Sequence, residues 1–221
     1  NWYKHIGRNW DKLVVGRAHS LRLRDHSGKS LGDMARVLEK DPWELFFDLV
    51  RTGAFVLPET MSHENKRRLI REEFVSFCTD VGPAGGAAFA SHPRAFGSFP
   101  RLLSRYVRED KTISLERAIA QAAALGANEI LARDRGRLSE GLAADVIVFD
   151  YQKLTDRADF ANPHAVSEGM RFVLVNGEVV LDDGKMTDRR PGRVLRGPGY
   201  QRELAPAEVS SGEQHHQQQQ Q

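Results

Sequence analysis

The sequence predicts an α/β fold, and three observations carry that prediction. Capped amphipathic helices occupy much of residues 30–72 and 99–122, and one β-branched and aromatic run, FVSFCT, sits between them. Alternating strand patterns with a tight-turn dipeptide take over after Gly126. The order helix, helix, strand, long loop, helix, helix suits the end of an α/β unit.

Taken in order, residues 1–29 offer few signals beyond a short strand at Leu13-Val14-Val15-Gly16. In SLGDMARVLEK, Ser30 caps a helix whose apolar face is Leu31, Met34, Ala35 and Leu38. In DPWELFFDLVRTG, Asp41 is the N-cap, Pro42 takes the first helical position and Glu44 completes a capping box. Leu45, Phe46, Leu49 and Val50 follow at helical spacing, and Gly53 supplies the stop. Ser62 opens a polar helix that runs to about Glu72. FVSFCT then reads as a strand that ends on Asp80, followed by a loop, VGPAGGAAFASHPRAFGS, too long for a simple connector. A helix is predicted over Phe99–Arg108, and another from the Ser114 cap with Leu115, Ala118, Ile119 and Ala122 on one face. LSEGLAADVIVFD contains a strand, Asp145–Phe149, and FVLVNGEVVLDDGK reads as a hairpin, because Asn176-Gly177 suits a turn with two positive φ angles. The predicted units are 1–136, 137–197 and a low-complexity, disordered tail over 198–221.

Composition excludes several functions. The 221 residues carry a formal charge of +2, with 40% hydrophobic and 28% charged residues, as expected for a globular chain. Basic and acidic residues alternate, so there is no electrostatic case for nucleic acid or a membrane surface. Lys66-Arg67-Arg68 stands among Glu64, Glu72 and Glu73 and reads as a solvated helix face. No apolar run approaches the roughly 20 residues that span a bilayer, and no signal peptide is evident, although the first residue is Asn1 and not Met. Cys78 is the one cysteine; it excludes an internal disulfide and fits a reducing compartment, so a cytoplasmic location is expected.

Three segments together carry a resemblance. GLAADVIVFD is similar to the strand that closes many enzymes of the amidohydrolase superfamily, and FVLVNGEVVLDDGKMT with RPGRVLR is similar to their C-terminal β-sandwich and tail. The third is more specific. A Thr-Asp at a strand end followed by SHPRAFGSFPRLLSRYVRE resembles the N-acyl-D-amino-acid deacylases (D-aminoacylases), and DRGRLSEG and ADFANPHAVSEGM agree with it. The resemblance covers roughly residues 40 to 197. It implies the C-terminal part of a (β/α)8-type metal-dependent hydrolase barrel, followed by a small β-sandwich segment. Active sites of such barrels lie at the C-terminal ends of the strands.

The reaction so implied is hydrolysis of the amide bond of an N-acyl-D-amino acid. In the full-length family zinc polarises the acyl carbonyl and activates a water. A carboxylate must then take the water's proton and pass it to the leaving nitrogen. The residues alone leave Asp80 open between a turn cap and a catalytic acid; by resemblance it is the catalytic carboxylate. Arg94 is the candidate for binding the substrate's α-carboxylate through its guanidinium fork, against an ordinary loop arginine. His92, grouped with Arg94 and Tyr3 as substrate-binding candidates, could orient the loop or contact the metal-bound water, against plain loop packing, and Tyr3, in NWYKH, is a candidate for a hydrogen bond to the substrate. Cys78, two residues before Asp80 on the predicted strand, is read as a small residue buried in a barrel interior.

One departure qualifies this. The superfamily's metal site begins with a His-x-His pair, and none occurs here; His5, His19, His26, His63, His92 and His164 are scattered. A single carboxylate does not hold zinc, so this chain alone is not expected to bind the metal. The expectation is an incomplete portion of a deacylase, inactive alone, that needs a missing N-terminal half or self-associates through exposed strand edges. Two other readings stay open: a non-catalytic truncated product or interaction subunit, and a cyclic-amide hydrolase of the dihydroorotase or hydantoinase kind.

Overall fold

A computed structural model describes residues 2–16, 21–81, 92–197 and 199–200. Residues 82–91, within the predicted long loop, and nearly all of the predicted disordered tail lie outside the described residues.

The N-terminal part is built on local capping chemistry. Short helices α1 (Trp2–His5) and α2 (Leu21–Arg24) flank a 3₁₀ turn and strand β1 (Leu13–Val15), which pairs antiparallel with β2 (Val56–Pro58). Ser30 caps α3 (Leu31–Leu38) by accepting the Asp33 N–H, and Asp41 caps α4 (Pro42–Arg51) by accepting from Trp43 and Glu44. Leu31, Met34, Leu45 and Leu49 close the core against Ile6, Leu13 and Val15, all essentially buried. Each side chain of this kind contributes about 1.5–3 kcal/mol of burial. Val50, predicted on the same face, is instead exposed. Ser62 caps α5 (His63–Arg71) as predicted.

The segment FVSFCT is not a strand. Residues 75–80 lie in no ladder, because an extended run becomes a strand only where a neighbour completes its backbone hydrogen bonds. Here the Phe77 N–H donates to the Gln121 carbonyl at 3.0 Å, and no strand lies alongside among the described residues. Cys78 is exposed and not buried.

A second departure follows. The helix predicted to begin at Phe99 begins five residues earlier: α6 spans Arg94–Arg101, and the chain then widens into π-helical winding over Leu102–Glu109. Pro100 lies inside α6 and has no N–H for the Phe96 carbonyl, which instead accepts the Ser167 hydroxyl at 3.2 Å. Leu102, Leu103, Tyr106 and Val107 of the π-helical turns form a second core with Ile113, Ala118 and Leu154. Helices α7 (Leu115–Ala122, capped by Ser114) and α8 (Ala124–Glu129) follow. Ala118 of α7 is buried, whereas Ile119 is exposed and Gln121 takes the inner position, donating to the carbonyls of Ile70 and Glu72.

The β half is an antiparallel meander of β3 (Val146–Phe149), β4 (Met170–Val175), β5 (Glu178–Asp182) and β6 (Lys185–Met186). Asn176 and Gly177 have φ of 49° and 84°, as the predicted turn requires, and Asp183-Gly184 repeats the device. The meander is one sheet, with no second sheet packed on it and no parallel strand pair among the described residues. Arg108 of the π-helical segment ties this half to the second core, donating to the Tyr151 and Leu154 carbonyls, each at 2.7 Å. No helix among the described residues is long and apolar enough to cross a membrane.

Candidate functional site

The first turn of α6 gathers three of the four residues singled out in the sequence. Pro93 occupies the N-cap position and offers no side-chain cap. The Nδ1 of His92 takes that task, accepting the Arg94 N–H at 3.0 Å. The Arg94 guanidinium then reaches the carboxylate of Asp80, with Nη1 3.1 Å from Oδ2. Asp80 has φ +50°, a left-handed conformation that Asp tolerates better than most residues, and its N–H donates to the Cys78 sulfur at 3.3 Å.

The electrostatics are those of an open site. The Asp80 side chain is 87% exposed and that of Arg94 is 40% exposed, so their pair is worth about 0–1 kcal/mol. Arg94 is less solvated on its other side: its Nε is buried with no hydrogen-bond partner. Burial, and then the Arg94 guanidinium, hold the His92 imidazole below its ordinary pKa. A neutral ring is what the Arg94 N–H requires of its acceptor. Chemically the trio offers a carboxylate that can accept a proton, a guanidinium with donors left for an anion, and a histidine that fixes the turn bearing both.

Tyr3 lies elsewhere. Its ring packs 4.7 Å from Trp10 and 5.0 Å from Trp43, in the aromatic cluster over the N-terminal core. A concavity of about 540 Å³ lined by Arg8, Trp10, Arg36 and Lys40 belongs to that part too, and contains none of Asp80, His92 and Arg94.

Sequence reasoning did not identify the platform beneath α6. Residues 155–168 support the helix along its length. The Arg101 guanidinium pairs with Asp156 at 2.7 Å, the Phe96 ring lies 5.7 Å from His164, and the His92 ring stands edge-on to Phe160 at 5.3 Å. Gly97 lets the two segments meet: a Cβ there would sit 3.2 Å from the Asp156 Cβ and 3.5 Å from that of Ala158. HPRAFGSFPR and ADFANPHAVSEGM are thus one packing unit. The available signal was Pro100, which obliges some donor to reach the Phe96 carbonyl.

The metal expected of the full-length family can be tested on these residues. No group of three or more His, Cys, Asp or Glu side chains that could hold a metal gathers among the described residues. Zinc needs three or four protein ligands, so the residues present do not fit it.

Comparison with known proteins places this geometry in context. Residues 16–181 match the family described as the amidohydrolase family. Over 170 residues the chain is 39% identical to an N-acyl-D-glutamate deacylase of Alcaligenes xylosoxydans xylosoxydans, covering 76% of this chain and 33% of the relative. A D-aminoacylase of the same organism is 30% identical over 169 residues, with coverages of 76% and 34%. Among solved structures, an N-acyl-D-glutamate deacylase from Bordetella bronchiseptica, complexed with zinc and a phosphonate mimic of the tetrahedral intermediate, superposes with a TM-score of 0.69. That match has 34% identity and covers 86% of this chain and 38% of the other. The chain therefore spans about a third of the length of these relatives.

Proposed function

The chain belongs to the amidohydrolase family, and from that premise we propose that it is a portion of an N-acyl-D-amino-acid deacylase, carrying the acid–base carboxylate and the carboxylate-binding arginine of the site. The observation that supports the reading is the Asp80–Arg94 pair at 3.1 Å, held on a turn that His92 caps. The wider architecture in this reading is part of a (β/α)8-type barrel, with the β3–β6 meander as one layer of a small β-sandwich.

Arg94 receives the α-carboxylate of the substrate, exchanging the exposed Asp80 carboxylate for one it can hold through two parallel N–H donors. That exchange frees Asp80 for proton transfer. As water attacks the acyl carbon, Asp80 takes a proton from it and delivers one to the amide nitrogen; the C–N bond breaks, leaving a carboxylate and a free D-amino acid. His92 keeps the turn in register and does not touch the proton. Each of these roles belongs to the chain's own side chains, which do not fit a metal. Alone, the chain is inactive in this reading: a carboxylate 87% exposed works in bulk water, without the enclosed polar environment that makes such groups effective.

The test is a chimera in which residues 16–181 replace the matching stretch of the Alcaligenes N-acyl-D-glutamate deacylase. Release of D-glutamate from N-acetyl-D-glutamate is expected. Asp80→Asn should lower kcat about 10²–10⁴-fold, and Arg94→Lys should act mainly by raising KM. A folded chimera with zinc bound and no Asp80-dependent turnover would sink the reading.

A further inference from the structure

Something other than Asp80 has to hold Arg94 in place. Their pair is open to solvent on the Asp80 side, and a pair of that kind fixes a guanidinium only weakly. Arg94, Gly97 and Arg101, at i, i+3 and i+7, share one face of α6. A Cβ at Gly97 would lie 3.2 Å from the Asp156 Cβ, and four residues on the Arg101 Nη1 donates to the Asp156 Oδ2 at 2.7 Å. The Asp156 side chain is 11% exposed, against 87% for Asp80. A carboxylate so enclosed depends on its cation, because without it the charge is left where water reaches it poorly. Asp156 is also fixed from behind. Thr155 and Glu168 exchange two backbone hydrogen bonds, at 3.1 and 3.0 Å, and Ser167 beside them donates to the Phe96 carbonyl. Pro100 leaves α6 one internal hydrogen bond short just before Arg101, so these outside attachments count for more in placing the helix.

We propose that Asp156 is a positioning residue for this site: through Arg101 it sets the rotation and advance of α6, and thereby the point at which the Arg94 guanidinium meets the substrate's α-carboxylate. This role rests on the deacylase reading of Arg94. Asp156 itself touches no substrate. Arg94 and Arg101 are about 10 Å apart along the helix axis, so the helix carries the effect as a body. The Arg94 Nε, buried at the far end of α6 from the Arg101–Asp156 pair, is the atom that registers it.

Two measurements test this, one on the chain itself and one on the chimera. In the chain, ¹⁵N NMR follows the Arg94 Nε–H; Asp156→Asn should shift that signal and speed its exchange with water about tenfold or more. In the chimera, Asp156→Asn should raise KM for N-acetyl-D-glutamate roughly tenfold while kcat stays within about twofold. In an Arg94→Lys background the same change should raise KM no further, because the arginine it places is gone. Arg101→Met strands the Asp156 carboxylate and should raise KM more than Asp156→Asn does; combining the two should recover part of that loss. Far-UV circular dichroism of each variant checks that its fold is kept. An Arg94 Nε–H indifferent to Asp156→Asn overturns the proposal, as does a loss carried by kcat or a KM effect that persists undiminished in the Arg94→Lys background. A folded, zinc-bound chimera with native Asp156 and no turnover sinks the deacylase reading instead, and the NMR measurement then decides alone whether Asp156 places Arg94.

Discussion

The Nδ1 of His92 accepts the Arg94 N–H, and only an imidazole unprotonated at that nitrogen can do so. Burial first, and the Arg94 guanidinium second, hold the ring below its ordinary pKa of 6.5. The unfolded chain therefore binds this proton more readily than the folded one. The stability contributed by the neutral ring is complete above pH 6.5 and is lost as pH falls from there through the folded value. An NMR titration should place His92 below 6.5 and show the Arg94 amide losing exchange protection across the same interval. His92→Phe should remove that interval's effect on Arg94. A His92 that titrates at or above 6.5 would contradict the capping role. Asp80 stands differently at this scale: its left-handed φ and its pair with Arg94 depend on where the following turn returns, and no pattern within FVSFCTD encodes that.

At the scale of elements, α6 shows what a sequence carries openly and what it hides. Ser30, Asp41, Ser62 and Ser114 were legible as helix starts because each cap bonds an N–H two or three residues away, a wholly local transaction. Asn176-Gly177 was legible for the same reason. The start of α6 was obscured by its two prolines: Pro93 at the cap position reads as a break, and Pro100 reads as the first turn of a helix that starts at Phe99. Both are tolerated because other groups replace what they remove, and FVSFCT is not a strand because no strand among the described residues lies alongside it. The compensation at Pro100 can be measured. Ser167→Ala strips the Phe96 carbonyl of its donor and should cost about 1 kcal/mol. In a Pro100→Ala background residue 100 has an N–H aimed at that carbonyl, so the same Ser167→Ala change should cost much less. Equal costs in the two backgrounds, read from urea midpoints, would show that the hydroxyl plays no such part.

For the whole molecule the decisive feature is that the described residues form two cores and not one. The first gathers α3, α4 and β1, and the second gathers the π-helical turns, α7 and Leu154, with Phe149, Tyr151 and Met170 of the β half packed against it. A close approach joins the two parts at Gly28, where φ is +85° and a Cβ would lie 2.7 Å from the Ala161 nitrogen. Small cores joined this sparsely are expected to melt separately. The chain supplies its own local probe: all three tryptophans, Trp2, Trp10 and Trp43, precede residue 44, and Trp10 and Trp43 pack edge-on to one another over the first core. Tryptophan fluorescence should therefore report the first core alone, while far-UV circular dichroism reports both, and the two thermal transitions should not coincide. Substitution separates them further. Leu49→Ala, at a fully buried site of the first core, should cost about 2–5 kcal/mol and move the fluorescence transition. Leu102→Ala, equally buried in the second, should move the dichroism while leaving the fluorescence midpoint in place. If Leu102→Ala shifts the fluorescence midpoint along with the dichroism, the two cores unfold as one cooperative unit and the contact at Gly28 couples them more strongly than its size suggests.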